Sequence, residues 1–218
     1  DDLLVKICAY ITDPVTTTDE LIPSGETSSY RSNPERLSEF ALFRRDPRYV
    51  PRSKEMRQAE RDREIGKPLS PELLAVYAAL AQAGFTCKPE STVIGSALFA
   101  NMPGDGSARE QAASCQRVMG GAANFARQYA TKRYRSNCIN WGITPFLVEA
   151  PELFSLGDYI FLPDVRNAVL ENRPALNAFA VKSVGTVTPF TVSTGALTEP
   201  ERQILADGCL INYYRGSC

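Results

Sequence analysis

The sequence predicts an α/β fold, and three observations carry the prediction. Apolar, strand-like runs alternate with helical segments from Leu3 to Val148. The run Thr92 to Ala100 (TVIGSALFA) passes through a glycine loop straight into a helical segment. A second strand–helix–strand unit then follows it, and repeated alternation of this kind argues for α/β. Composition agrees: 218 residues, 44% of them hydrophobic and 22% charged, make an ordinary globular chain long enough to bury a sizeable core.

Leu3 to Ile11 (LLVKICAYI) reads as the first strand, followed by a polar loop from Thr12 to Ser29 rich in Thr, Ser, Pro and Gly. PERLSEFAL, from Pro34, is a short helix candidate. Ser53 to Ile65 (SKEMRQAERDREI) is a helix so charged that it is expected to be largely solvent-exposed. A phosphate-binding stripe would need one sign of charge, whereas mixed signs at helical spacing favour a solvated face. The stretch 44–69 is the one linker-like segment, a charged helical insertion within a single domain spanning 1–218.

Ser70-Pro71-Glu72 supplies an N-cap, a proline at the first helical position and an early acid, so LLAVYAALAQA is a helix ending at Gly84. It is apolar almost all round and is expected to be buried. After the glycine loop, AREQAASCQRVM is helical and Gly120-Gly121 stops it. Next come a short strand near Ala122 to Phe125, a helix around Phe125 to Cys138 and the strand Ile143 to Val148. Beyond Pro151 the segments Asp158 to Leu162, Ala178 to Lys182 and Thr186 to Val192 suggest a small antiparallel sheet, with a short helix near Val165 to Glu171. Thr198-Glu199-Pro200-Glu201 is a capping box, and a final amphipathic helix runs to about Tyr214.

Several function classes are removed by counts. With 24 Lys+Arg against 25 Asp+Glu, no global field draws the chain to nucleic acid or membrane. There is no histidine, which excludes Ser-His-Asp triads, Cys–His dyads, HExxH zinc sites and histidine pH switches. Six cysteines, at 8, 87, 115, 138, 209 and 218, include no CxxC, so a zinc ribbon, a thioredoxin-type motif and a self-contained iron–sulfur site are not expected. Nothing resembles a secretory signal, and the cysteines read as reduced, mostly buried thiols of a cytoplasmic protein. No apolar run approaches the roughly 20 residues of a membrane span. The chain opens on Asp1 rather than Met, the mark of a processed product or of a domain cut from a longer protein.

Two stretches can carry chemistry. Pro103 to Glu110 (PGDGSARE) is a glycine turn before a helix, which leaves backbone N–H groups unpaired at the positive end of the helix dipole and adds the Ser107 hydroxyl and the Arg109 fork. Together these suit an anion, and a carboxylate fits the guanidinium best. A structural turn, with Ser107 or Asp105 as N-cap and Arg109 on the surface, is the other reading of the same residues. A Walker phosphate loop is excluded because GxxxxGK[ST] is absent. The second stretch is Thr16 to Gly25 (TTTDELIPSG) with Tyr30-Arg31-Ser32-Asn33, where Asp19 and Arg31 can fold over one pocket or simply belong to a hydroxyl-rich turn.

Taken together, these stretches carry a resemblance. GDGSARE, the Gly pair ten residues after Glu110, and RSNCINWGITPFLV resemble the last domain of the aconitase family, with its GSSRE loop, later GG and Asn-containing helix end before a Gly-hydrophobic-Pro strand. The upstream TTTDELIPSG with YRSNPERLSEF is similar to the TD-x-IIP entrance of the same domain. The likeness runs in order from Leu3 to Val148; the remainder matches in style alone. It implies the swivelling β/β/α domain of the aconitase and isopropylmalate dehydratase small-subunit type, closing over a [4Fe-4S] cluster that a separate core supplies, in the same polypeptide or as another subunit. This chain would bind no cofactor itself. By position, Ser107 matches the family's general base, Arg109 and Arg31 its substrate-carboxylate arginines and Asp19 an active-site aspartate, with Gly106 and Ala108 in the substrate-binding loop. Ala108 departs from the second Ser of aconitases proper, which puts citrate in doubt.

The implied activity is a hydro-lyase acting on a hydroxy di- or tricarboxylic acid, inactive as an isolated domain. Alternatives are the small subunit of an isopropylmalate-type dehydratase and a regulatory relative without turnover. Arg31 and the insertion through Gly66 favour the aconitase side. No basic and aromatic interleaving suggests an RNA surface, so a nucleic-acid partner is not expected.

Overall fold

The structure is a computed structural model that describes residues 2–23 and 25–216; Asp1, Ser24, Ser217 and Cys218 lie outside the described residues, so the readings that touch Ser24 and Cys218 go untested. In chain order it contains β1 (Asp2–Ile11), β2 (Thr16–Thr17), α1 (Thr18–Leu21), α2 (Pro34–Ser38), α3 (Tyr49–Glu64), α4 (Pro71–Gln82), β3 (Thr92–Ala100), β4 (Pro103–Asp105), α5 (Arg109–Val118) and β5 (Gly121–Ala126). Then come α6 (Lys132–Asn140), β6 (Thr144–Val148), β7 (Tyr159–Leu162), α7 (Val165–Leu170), β8 (Leu176–Val181), β9 (Val187–Ser193), α8 (Glu199–Ala206) and α9 (Leu210–Gly216).

Seven strands close a barrel in the order β1-β3-β5-β6-β9-β8-β7. β1, β3, β5 and β6 run parallel, and β7, β8 and β9 pair antiparallel with each other and with β1 and β6. The α/β expectation therefore holds, and barrel closure goes beyond it.

Closure explains why β1 is apolar almost throughout. Leu3, Val5 and Ile7 point into the barrel beside Phe99, Phe125, Phe146, Ile160 and Ala178. Leu4, Cys8 and Ala9 lie in an outer core with Tyr49, Met56, Leu73, Leu98 and Ala113, most of which the helices supply. Both faces of the strand are dry, so the usual alternation of apolar and polar residues is lost. A bulge between Ile7 and Ala9 in the pairing with β3 shifts the register there.

Several expectations need correction. The charged stretch 44–69 is no linker: α3 starts at Tyr49, four residues before the expected Ser53, and buries Tyr49, Val50, Ser53 and Met56 against the barrel. Its charges are held by partners, Arg57 by Glu35 at 2.7 Å and Arg63 by Glu60 at 2.6 Å. α4 is capped by Ser70 as expected, yet only Leu73, Val76, Ala79 and Leu80 are buried, and Leu74 stays 54% exposed. Its apolar character reflects Ala and Leu on the solvent face, where both are good helix formers. The strands after Pro151 pair antiparallel as expected, but as part of the closed barrel wall. The last helix is broken at Asp207–Cys209 into α8 and α9, with Gly208 at φ +89°. Finally, α6 begins at Lys132 and not near Phe125, because β5 runs on to Ala126.

Candidate functional site

The chain leaves the parallel strands β1, β3 and β5 at the same end of the barrel, and the three loops that follow are bound to one another. Asn101, just after β3, donates from Nδ2 to the carbonyls of Thr12 (2.7 Å) and Asp13 (3.2 Å). Its own carbonyl accepts from the backbone N–H groups of Arg127 (3.1 Å) and Gln128 (3.2 Å). Residues 12–18 and 101–108 are further joined by a short parallel ladder, Thr16 opposite Pro103 and Thr17 opposite Asp105. Strands this short have no periodicity, so nothing in the sequence signals the pairing. The carboxyl ends of parallel strands are where α/β folds place their ligands.

Two glycines show how tightly the loop is held. Gly104 has φ +100°, and a Cβ there would collide with the buried Tyr134 ring of α6. Gly106 has φ +127°, and a Cβ there would collide with Thr18 Oγ1 at the start of α1. The loop is thus clamped between α6 on one side and α1 on the other. The α6 side adds direct bonds: Ala130 N–H donates to the Pro103 carbonyl (3.0 Å), and the Thr131 hydroxyl to that of Gly104 (3.3 Å). Thr131 is at the same time the N-cap of α6, accepting from Tyr134 N–H at 3.1 Å.

This clamp brings the starts of α5 and α6 together around an open cleft of about 360 Å³, lined by Ser107, Arg109 and Glu110 from one and Lys132, Arg133, Ser136 and Asn137 from the other. Ser107 is exposed at its rim. Ala108 occupies the N-cap of α5 and makes no side-chain cap bond, so the first amides of that helix lack the partner an Asn, Asp, Ser or Thr would give. Arg109 Nε is buried without a hydrogen-bond partner among the described residues. Glu110, the single carboxylate lining the cleft, accepts from Trp141 Nε1 at 2.9 Å. Arg109, Lys132 and Arg133 form no ion pair among the described residues. Three cations and helix-start amides converge on this space against one carboxylate, an excess of positive charge that suits an anionic ligand.

The predicted residues divide accordingly. Ser107 and Arg109 line the cleft, whereas Gly106 and Ala108, their neighbours in the chain, are not among its lining residues. Asp19, in the first turn of α1, is carried to the loop by the β2–β4 ladder, but its Oδ2 accepts from Arg44 Nη1 at 3.1 Å, and Arg44 also holds Glu26 at 2.7 Å. Arg31 is exposed after the 3₁₀ turn Ser28–Tyr30 and does not line the cleft. It lies just before α2, which packs against α5. Lys132 and Arg133 escape a reading of the sequence in which the helix starts near Phe125; a Thr followed by two basic residues is the signal that could have found them.

Comparison with known protein families returns no match, and comparison with curated protein sequences returns none either. Among solved structures, the crystal structure of 3-isopropylmalate dehydratase (leuD) from Methanocaldococcus jannaschii superposes with a TM-score of 0.56 at 18% identity, covering 100% of this chain and 95% of that one. The chain has the fold of that dehydratase. At this identity the likeness establishes architecture and leaves chemistry to the residues themselves.

A cluster of iron and sulfide would need several thiolates in one place. Cys8, Cys115 and Cys138 are buried one each on β1, α5 and α6. Burial pushes the Cys8 and Cys138 thiols up to about 12, which keeps them protonated and poor as ligands. Among the described residues no three Cys, Asp or Glu side chains lie together as a metal set. These residues do not fit an iron–sulfur cluster. The described helices include none long and apolar enough to cross a membrane.

Proposed function

We propose that this chain, residues 1–218 as one swivel-type domain, is the substrate-closing unit of an aconitase-family hydro-lyase of the isopropylmalate dehydratase type, working against a separate core that carries a [4Fe-4S] cluster. The observation that carries the reading is the convergence of Ser107, Arg109 and two helix starts on one cleft in which cations outnumber the one carboxylate. The fold shared with the leuD chain over nearly its whole length supports a domain of this type.

In this reading a hydroxy acid places one carboxylate on Arg109 and the uncapped amides of α5, held bidentately by the guanidinium. Removing the proton beside that carboxylate builds negative charge on its oxygens, and the fixed cation and amide dipoles are aimed where that charge develops. Ser107 Oγ, two residues before Arg109 in the chain, takes the proton. A serine is a weak base in water, and the electropositive cleft lowers its pKa once a covering core has excluded solvent. Gly106 and Ala108 leave room at the rim for the substrate. Asp19, paired with Arg44, orients the α1 side of the loop, and Arg31 meets a second carboxylate when the core closes. A cluster carried by the core would supply the Lewis acid for the departing hydroxyl.

An aconitase-type enzyme is the second reading, favoured by Arg31 and by the packed helix α3. Ala108→Ser separates the two: restoring the second hydroxyl raises activity on citrate if the chain belongs to that side, and leaves it unchanged otherwise. The proposal itself is tested by combining the chain with its cluster-bearing core and following dehydration of 3-isopropylmalate and citrate. Turnover that requires both parts is expected. A core equally active without this chain would overturn it.

A further inference from the structure

We propose that the amino-terminal end of the barrel carries a second binding site, a cavity in which Arg117 takes the carboxylate of a small aliphatic acid. It lies at the opposite end of the parallel strands from the Ser107 cleft and is independent of the functional reading above. The opening residues of three strands form its floor: Leu3 of β1, Val93 of β3 and Ala122 of β5. Helices α7 and α8 close over them with Val165, Val169 and Leu205. The space measures about 330 Å³, at the lower end of the range of small-molecule sites. Its uncovered apolar surface shows at Val93, which is 42% exposed although every other residue of β3 is buried. The walls are held in place from outside. A Cβ on Gly142, at the end of α6, would collide with the Gly208 carbonyl, so the end of α8 is seated tightly there.

A second, independent support is the charge placed among these walls. Arg117 stands in the last turn of α5, where a cation suits the helix dipole, and its Nη1 donates to the Gly121 carbonyl at 3.1 Å. That bond fixes the fork and leaves its other N–H groups over for a ligand. Arg117 forms no ion pair among the described residues. Glu60, an acid of the same lining, is held by Arg63 at 2.6 and 2.7 Å and by the Ile94 N–H at 2.9 Å. The other charged lining residues do not answer Arg117 either: Glu64 and Arg166 are exposed and of opposite sign, and Asp2 accepts from the Asp164 N–H at 2.8 Å. Arg117 is open to the cavity, yet the protein crowded around it pulls its pKa below the ordinary arginine value. A carboxylate would meet the guanidinium in two parallel hydrogen bonds while an aliphatic chain dries the walls. An inorganic anion would leave the walls wet, and a neutral apolar molecule would leave the cation unmet.

The test is a titration of the 218-residue chain with 4-methylpentanoate and, separately, with 4-methylpentan-1-ol, following backbone amide shifts. The carboxylate is expected to move residues 117–122, 165–169 and 205–208 together, and the alcohol to bind there roughly 10-fold more weakly, the scale of one charge-assisted contact. In R117M the carboxylate loses that same advantage and binds no better than the alcohol. A206L keeps Arg117 and fills the space from α8, and it should weaken both probes alike. Carboxylate shifts confined to residues 107–110 and 132–137, alcohol binding as tight as the carboxylate, or unchanged affinity in R117M and A206L would each overturn this site. None of those results bears on Ser107, whose role is read from turnover with the core.

Discussion

The helices α5 and α6 build two polar regions that behave in opposite ways. On their buried sides Gln116 of α5 and Tyr134 and Cys138 of α6 close a network around Asn124 of β5: Asn124 Nδ2 donates to Gln116 Oε1 (3.1 Å) and Tyr134 Oη (3.3 Å), and Gln116 Nε2 donates back to Asn124 Oδ1. At their amino-terminal ends Arg109, Lys132 and Arg133 face a cleft lined by one acid, Glu110, and form no ion pair among the described residues. The first region has its hydrogen-bonding needs met inside the protein, and its role is to fix how the two helices pack. The second has them unmet, and an incoming ligand is the natural partner. Unsatisfied polarity at the ends of well-fixed elements, more than polarity as such, therefore marks the place to look for chemistry.

Breaking the glycine clamp should have the greatest effect on stability. Gly104→Ala forces a left-handed residue and drives a methyl into the Tyr134 ring. Strain and overpacking together should cost about 3 kcal/mol or more in urea unfolding. A G104A protein as stable as the parent would show that the loop is not held as described. Opening the buried network comes next: Asn124→Ala leaves the Gln116 amide and the Tyr134 hydroxyl without their partner, at about 2–3 kcal/mol in the same assay. Arg109→Gln, by contrast, should change stability by less than about 0.5 kcal/mol, as expected for a side chain outside the core.

Raising the pH should act on the buried region as well. The Cys8 and Cys138 thiols have pKa values raised by burial from 9.0 to about 12, so the folded state favours the protonated form. Their contribution to stability is complete below the ordinary thiol value and is lost as pH climbs from about 9 toward 12. The urea midpoint should therefore be flat from neutrality to about pH 9 and fall beyond it, and Cys138→Ala should shallow that fall. A midpoint insensitive to alkali would contradict the burial of these thiols.

Much of this architecture is legible in the chain. LLVKICAYI and TVIGSALFA announce strands because both faces of each are dry, and Ser70-Pro71 and Thr198-Glu201 announce helix starts because capping is local chemistry. The loop PGDGSARE is legible as a glycine turn leading into a helix for the same reason. Closure of the barrel is not, since β7 and β9 find their partners β1 and β6 far away in sequence. The Asp19–Arg44 pair spans 25 residues and a turn, beyond any local pattern. Lys132 and Arg133 are hidden because the polar stretch after Ala126 has no apolar period to place the α6 start, which the Thr131 cap alone sets.

Whether the open cleft is a catalytic carboxylate site is tested most directly by Ser107→Ala in the enzyme assembled with its cluster-bearing core. The hydroxyl is exposed and outside the hydrophobic core. If Ser107 is the base, kcat falls by on the order of 10²- to 10⁴-fold, the range for a positioned base, while the melting temperature is unchanged. Full activity of the Ser107→Ala enzyme on the substrate that the parent turns over would contradict that role.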